Sequence, residues 1–220
     1  MPKIHVVERL NASRYVKELA EYHRWRHLIY VEERGWSDLR QPDGLERDQY
    51  DTDAATHLIA IEDGVVVCGS RMIPMTAPTL LSEVFPHLVE RGEVPRDAKT
   101  IDWTRMFVVP ARRRGSSGRS VAGALFTGVM EYCLSIGAER VGGVMETFWL
   151  PRWQQFGWTT RPLGLPQAIA GSMTLAAYMD VTPEALSGVR AATGWSESLL
   201  VWPEAKAGNP TVVPEFARVA

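Results

Sequence analysis

The sequence predicts an α/β domain, a three-layer α-β-α sandwich around a mixed sheet. Two stretches of helical periodicity, a hairpin between them and further strands beyond the second helix carry that expectation, because elements in this order layer onto one sheet. Lys3 to Glu8 reads as a first strand. Asn11 or Ser13 is placed to cap a helix running to about Glu33, ahead of Gly35. Its apolar positions Tyr15, Leu19, Tyr22, Trp25 and Ile29 fall on one helical face. Ser37 to Gln49 is polar, contains Pro42-Asp43-Gly44 and reads as a loop. Thr56 to Ile61 and Val65 to Ile73 alternate as strands on either side of the turn Asp63-Gly64. A short helix is expected over Thr79 to Val89, a strand over Thr100 to Val109 and a basic loop over Pro110 to Gly118. Ser117 or Ser120 then opens a helix to about Ile136, with Val121, Leu125, Val129 and Cys133 along one stripe. Val141 to Met145, Trp158 to Pro162 and Ser172 to Val181 are later strands. Thr182 and Pro183 start a last helix, threonine as cap and proline in the first helical position.

The 220 residues fit a single domain spanning 1–220, with a proline-containing tail from about Pro203 that is expected to be extended. A formal net charge of −2 argues against general affinity for nucleic acid. No apolar run approaches the roughly 20 residues a membrane span needs, and Met1 to Arg9 lacks the apolar core of an export signal. A cytoplasmic protein is expected, with Cys68 and Cys133 as buried thiols. Neither cysteine has a partner at metal-ligand spacing, so no metal site is expected. Phe148, Trp149, Trp153, Phe156 and Trp158 crowd one short stretch and fit a pocket wall or a plain core patch equally well.

Three charged clusters stand out. Glu46, Asp48, Asp51 and Asp53 follow Gly44 in a loop, where carboxylates bind a cation or an amine, or simply face water; the alternating ligands of a calcium loop are missing. Asp102 and Arg105 lie within an apolar strand, as does Arg71 after Val65 to Cys68. Buried charges of this kind need partners, and simple alternation puts Asp102 and Arg105 on opposite faces of the sheet. Arg112, Arg113 and Arg114 precede Gly115 and Gly118 between a strand and a helix. Backbone amides at a helix start bind phosphate, and this run is similar to the pyrophosphate loop of GNAT acyltransferases, with one extra residue between the glycines.

Taken together the clusters resemble the LuxI-type acyl-homoserine lactone synthases. The resemblance rests on Arg26-His27-Leu28-Ile29-Tyr30, Gly35-Trp36, Gly44-x-Glu46-x-Asp48-x-x-Asp51, Gly69 to Pro74, Phe85-Pro86 and Asp102-x-Thr104-Arg105-x-Phe107-Val108. Glu146 to Arg152 looks like the rhizobial branch, whose members tend to use coenzyme A thioesters of short branched or aromatic acids. The chain has Tyr30, Asp102 and Thr104 where the family usually has phenylalanine, glutamate and serine. The resemblance implies a GNAT-like fold and two substrates, S-adenosylmethionine and an acyl thioester, with an acyl-carrier protein as a conceivable donor partner. It implies that Arg26, Tyr30, Trp36, Asp48, Asp51, Phe85 and Arg105 shape the S-adenosylmethionine site. Asp102, with Asp48, Arg71 and Arg105, would serve the chemistry. Arg112, Arg113, Arg114, Gly115 and Gly118 would hold the thioester's phosphates.

In the reaction so implied, the protonated amine of S-adenosylmethionine loses a proton, directly or through water, before attacking the thioester. Nearby arginines are expected to hold the pKa of Asp102 down, leaving positioning to do more than basicity. A strand amide between Phe107 and Val109 is a candidate for the oxyanion. Lactone closure is intramolecular, so no metal, redox group or other cofactor is called for. Gly143, Met145, Phe148 and Trp149 are the expected acyl-pocket wall. A GNAT-type acyltransferase for another amine, which leaves Arg26, Trp36, Asp48 and Asp51 at their spacing unexplained, and a non-catalytic small-molecule sensor on the same fold are the competing readings; release of methylthioadenosine from S-adenosylmethionine plus a thioester separates all three.

Overall fold

The computed structural model describes residues 1–113 and 119–202. In chain order its elements are β1 (Lys3–Val7), α1 (Val16–Arg26), β2 (Thr56–Glu62), β3 (Val65–Pro74), α2 (Leu80–Glu83), β4 (Thr100–Val108), α3 (Val121–Ser135), β5 (Arg140–Glu146), α4 (Leu150–Gln155), β6 (Thr160–Pro162), β7 (Gln167–Ile169), β8 (Ser172–Asp180), α5 (Pro183–Thr193) and β9 (Leu200–Val201). Among the described residues they build one nine-stranded sheet in the order β6-β8-β5-β4-β3-β2-β1-β9, with β7 also on β8. Pairing is antiparallel except between β4 and β5 and between β1 and β9, so the sheet is mixed.

Helices cover both faces. Asp63 and Gly64 both take positive φ, 52° and 77°, as the two-residue hairpin turn between β2 and β3 requires. On one face Phe107 and Tyr22 of α1 meet with ring centres 5.4 Å apart and tilted by 46°, and Val144 packs with Leu81 and Leu88. On the other, Trp103 meets Phe126 of α3, and Trp153, Phe156 and Trp158 pack beneath it. Thr182 caps α5 through the Ala185 amide at 3.1 Å, and Ser120 caps α3 through Gly123 at 3.0 Å. The expected three layers are present.

The first helix departs from its expected start. Asn11 spends its side chain on the Glu8 amide and the Val6 carbonyl, and α1 begins at Val16 with no side-chain cap. From His27 to Glu33 the helix widens to π geometry, which turns Tyr30 and Val31 inward. The helix expected over Thr79 to Val89 is only α2 and a separate turn at Pro86–Leu88, because Pro86 has no amide to continue the ladder. β7 and β9 are too short for an alternation signal and were not anticipated.

Two irregularities set up the site. β4 and β5 pair only from Thr100–Arg140 to Asp102–Gly142. Beyond that point β4 continues to Val108 and β5 to Glu146 with no pairing between them, so the sheet forks at Asp102. The β3–β4 register also shifts between Gly69 and Arg71, leaving Ser70 opposite Arg105 and Met106. Arg105 sits at φ +54° in this bulge. An extra residue inverts the alternation, so Asp102, Thr104, Arg105 and Phe107 all serve the α1 face. The opposite-face placement expected for Asp102 and Arg105 is thereby corrected.

Candidate active site

Three arginines and three carboxylates form a closed ring beside the fork. Arg26 of α1 binds Glu46 through Nε and Asp51 through both terminal nitrogens, at 2.7 and 2.9 Å. Arg71 of β3 binds Asp48 at 2.5 and 3.1 Å and approaches Asp51 at 3.0 Å. Arg105 binds Glu46 at 3.1 Å and Asp48 at 2.7 Å. Charge alternates around the ring and sums to zero. Arg26, Arg71 and Glu46 are fully buried, and the other three are nearly so. Burial alone pushes the carboxyl of Asp51 up, but the Arg26 charge and hydrogen bonds, with Arg71, hold it well below the usual range. Asp48 is held down against burial in the same way by Arg71 and Arg105. The loop carrying these acids folds back on α1, with the His23 carbonyl accepting from the Glu46 amide at 3.1 Å and the His23 ring meeting the Glu46 carbonyl at 2.9 Å. Asp53 stays outside the ring, near Arg9 on the surface.

Asp102 differs from these acids in having no arginine on its carboxylate. It is fully buried, and neither carboxylate oxygen has a hydrogen-bond partner among the described residues. Burial pushes its pKa up to about 7, overriding Arg71 and Arg105, which pull it down. The expectation that the arginines would keep this group a weak base is corrected, because burial outweighs their pull and neither makes a hydrogen bond to it. Gly143 makes the room: it lies at φ +140°, and a Cβ there would collide with the Asp102 carboxylate. Gly143, expected in the acyl wall, thus also leaves space for the Asp102 carboxylate.

Aromatic rings extend the site from Arg105. Its guanidinium lies 5.5 Å from the centre of Tyr30, and Tyr30 stacks on Trp36 at 5.2 Å and 16°. The Tyr30 hydroxyl donates to the Met106 carbonyl at 2.7 Å, pinning the bulge. Phe85 packs further along the same face, in the cluster of Met75, Leu81, Leu88 and Tyr178.

The remaining expected residues are more scattered. Arg112 pairs with Glu62, and Arg113 pairs with Glu33 at 2.8 Å and donates to the Val108 carbonyl at 3.0 Å. Arg114, Gly115 and Gly118 lie outside the described residues, as does the tail from Pro203. Trp153, Phe156 and Trp158 prove to be core; Met145 accepts from Trp153 Nε1 at 3.3 Å. Trp149 stacks on Trp153, and Phe148, 58% exposed, tilts against Trp149, so these two carry the aromatic surface outward. Val109 is spent on the Val67 carbonyl at 3.0 Å and drops out as an oxyanion donor. Glu46 was visible in the quoted motif but was not singled out, although it joins two of the three arginines. Among the described residues no three His, Cys, Asp or Glu groups are placed to hold a metal, and no helix is long and apolar enough to cross a membrane.

The profile of the autoinducer synthase family matches residues 11–189. The chain belongs to that family. It is thus an enzyme, an acyltransferase of the acyl-homoserine-lactone synthase kind. An isovaleryl-homoserine lactone synthase of Bradyrhizobium diazoefficiens is 41% identical over 83% of this chain and 82% of its own. An acyl-homoserine-lactone synthase of Agrobacterium fabrum is 29% identical over 74% and 79%. The structure of BjaI, a coenzyme-A-dependent acyl-homoserine lactone synthase with S-adenosylmethionine and isopentyl-CoA, superposes with a TM-score of 0.86 at 38% identity, covering 92% and 94% of the two chains. A Lactobacillus plantarum structure named as an N-acetyltransferase reaches 0.53 at 16% identity, over 82% and 99%, and shares the fold alone. The GNAT-like fold of this autoinducer synthase is the one its family resemblance implied.

Glu46→Gln should expose how tightly the ring is coupled. It leaves Arg26 and Arg105 each short of a buried carboxylate, and losing one member of such a set costs about 3–5 kcal/mol. Asp48→Asn should behave alike and lose lactone synthesis with it. Urea unfolding checks this; a loss below about 1 kcal/mol in both variants would show that the ring is not one unit.

Proposed function

We propose that this acyl-homoserine-lactone synthase takes its acyl group from a coenzyme A thioester, transfers it to the amine of S-adenosylmethionine, and lets the product close to the lactone. The observation that carries this reading is the unpaired carboxylate of Asp102 at the sheet fork. A buried group with a pKa near 7 exists in both protonation states at neutral pH, as a general base should. Asp102 takes a proton from the ammonium, directly or through one water, and the freed amine attacks the thioester carbonyl. Beyond Asp102 the β5-facing edge of β4 has no strand partner, so amides between Trp103 and Val108 are available to a developing oxyanion. The coenzyme A thiolate leaves. The carboxylate oxygen of the methionine part then attacks the carbon beside the sulfonium, that C–S bond breaks, and methylthioadenosine departs as a neutral thioether. Proximity within one molecule supplies most of this second step. Neither step calls for a metal or redox cofactor.

The roles of the surrounding residues follow from their places. Arg26, Arg71 and Arg105 with Glu46, Asp48 and Asp51 make a rigid polar floor for S-adenosylmethionine, and Tyr30, Trp36 and Phe85 give it apolar walls. Arg113 pairs with Glu33 at an exposed position, where an ion pair is worth little, and Arg112 reaches Glu62 with its own side chain largely exposed; both arginines exchange these carboxylates for phosphate, together with Arg114 and the backbone at Gly115 and Gly118. Met145, Phe148 and Trp149 line the acyl side. The coenzyme-A dependence printed for BjaI, at 38% identity, supports the donor.

Three outcomes are expected. The first concerns Asp102. Its pKa in the folded chain is raised above the ordinary 3.8, so its protonated form favours folding, and that contribution is lost as pH rises towards about 7. Asp102→Asn should therefore gain on the wild type as pH rises from 3.8 to about 7 and be the more stable of the two at pH 8, while turnover falls about 10²–10⁴-fold. Wild-type kcat/KM should rise with pH through about 7, and an unchanged pH profile in the variant would remove Asp102 as the base.

The second concerns the donor. With the same acyl group on both carriers, kcat/KM should be higher for coenzyme A than for acyl-carrier protein. The preference should shrink as salt screens the arginine–phosphate contacts. A clear preference for the carrier protein would overturn the donor assignment.

The third concerns the acyl group. In a series from isovaleryl through cinnamoyl to dodecanoyl, the short and flat groups should win, with ring stacking on Phe148 or Trp149 adding about 0.5–1.5 kcal/mol. Highest efficiency with dodecanoyl would show that these side chains do not bound the pocket.

A further inference from the structure

Four stacked groups span the fork in the sheet. Arg105 on β4 lies against Tyr30, Tyr30 against Trp36, and the Arg34 guanidinium lies 5.2 Å from the centre of the Trp36 ring. Arg34 then donates to Glu146 at 3.0 Å. Glu146 is the last residue of β5, on the stretch that has parted from β4. The segment 30–36 is fixed to β4 by the Tyr30–Met106 hydrogen bond. The Arg34–Glu146 pair is therefore a contact from the β4 wall of the fork to its β5 wall.

We propose that Arg34 and Glu146 form a crossbar that sets the width of the fork and thereby restricts the acyl group to short chains. This rests on the reading that the thioester enters between β4 and β5. Glu146 immediately precedes the turn Thr147–Trp149, which carries Phe148 and Trp149. Holding Glu146 holds that aromatic turn at a fixed distance from β4. The side chains of Arg34 and Glu146 are 33% and 19% exposed, and an exposed pair adds little to overall stability. Its consequence is local: β5 stays paired to β8 as far as Glu146–Thr174, so what the pair sets is the separation of that β5–β8 edge from β4, and without it the two sides of the fork can part further beyond Asp102. The stack also links acyl selection to the other substrate, because Trp36 belongs to the walls proposed for S-adenosylmethionine.

The test compares isovaleryl-CoA with decanoyl-CoA in the full-length chain, using Arg34→Gln, Glu146→Gln and the charge-exchanged double variant Arg34→Glu/Glu146→Arg. The ratio of kcat/KM for decanoyl over isovaleryl should rise about tenfold in each single variant and return towards the wild-type ratio in the double variant. Melting temperatures should change little. The KM for S-adenosylmethionine is measured alongside. A changed KM with an unchanged acyl ratio would overturn the crossbar and leave Arg34 as a wall of the S-adenosylmethionine site; an unchanged ratio in both single variants overturns it outright. Dissociation constants of the two thioesters, measured by tryptophan fluorescence without S-adenosylmethionine, should show the same change in ratio. That second readout decides the crossbar even if the wild-type chain makes no lactone from either donor, an outcome that would remove the functional reading alone.

Discussion

Placing three guanidinium groups in a protein interior is tolerable only if each meets a carboxylate at hydrogen-bond distance, and the ring of Arg26, Glu46, Arg105, Asp48, Arg71 and Asp51 meets that constraint without leaving a net charge. Much of the local structure exists to satisfy it. Arg26 comes from a helix, Arg71 and Arg105 from adjacent strands, and the acids from one loop between α1 and β2. That loop has little regular structure of its own, and its path is dictated by where the arginines are. His23, beside Glu46 and Arg26, is pushed by burial and the Arg26 charge to a pKa of about 4. It stays neutral near pH 7, where a further buried cation would unbalance the ring.

The same constraint explains the strained backbone at Arg105. A non-glycine residue at positive φ costs about 1–3 kcal/mol and persists only when its surroundings over-determine it. Here they do so three times: through the ion pairs to Glu46 and Asp48, through Tyr30 against the guanidinium, and through the hydrogen bond from Tyr30 to the adjacent Met106 carbonyl. Without the bulge, Arg105 would point with Trp103 into the aromatic core around Phe126, where nothing balances its charge. The bulge thus turns one strand into a supplier of both the ring's third arginine and the unpaired carboxylate at Asp102.

What the sequence could reveal follows from this division. Charged residues inside apolar strands are conspicuous, and Arg71, Asp102 and Arg105 stood out for that reason, whereas Arg26, Asp48 and Asp51 were singled out through the family motif they match. The layers of the fold were legible from periodicity, and the Asp63-Gly64 turn and the Thr182-Pro183 start from local chemistry. Glu46 was less visible, because a carboxylate in an acidic loop looks like its solvated neighbours until the arginines are placed around it. The π segment after Arg26 and the bulge at Arg105 left no signal, since both are imposed by tertiary contacts rather than by residue preference. The raised pKa of Asp102 was hidden for a related reason: counting nearby arginines predicts a lowered value, and only the structure shows burial complete enough to outweigh them.

The length of the side chain at position 102 now has a physical meaning. Gly143 leaves its Cβ space to the carboxylate, so the group is seated against β5 at the point where the sheet parts. A glutamate would carry its carboxylate one methylene further and permit it to turn towards Arg71 and Arg105. Capture by either arginine would lower its pKa and expel Asp48 or Glu46 from the ring. Aspartate is short enough to remain outside the ion-pair network while lying within its field. That separation lets acids of one small region differ: arginine partners hold Asp48 and Asp51 below their usual range, while burial carries Asp102 up to about 7 against the pull of Arg71 and Arg105. An acid that completes a structure and an acid that moves a proton need contrary environments, and the bulge and the glycine at the fork provide both within a few residues of one strand.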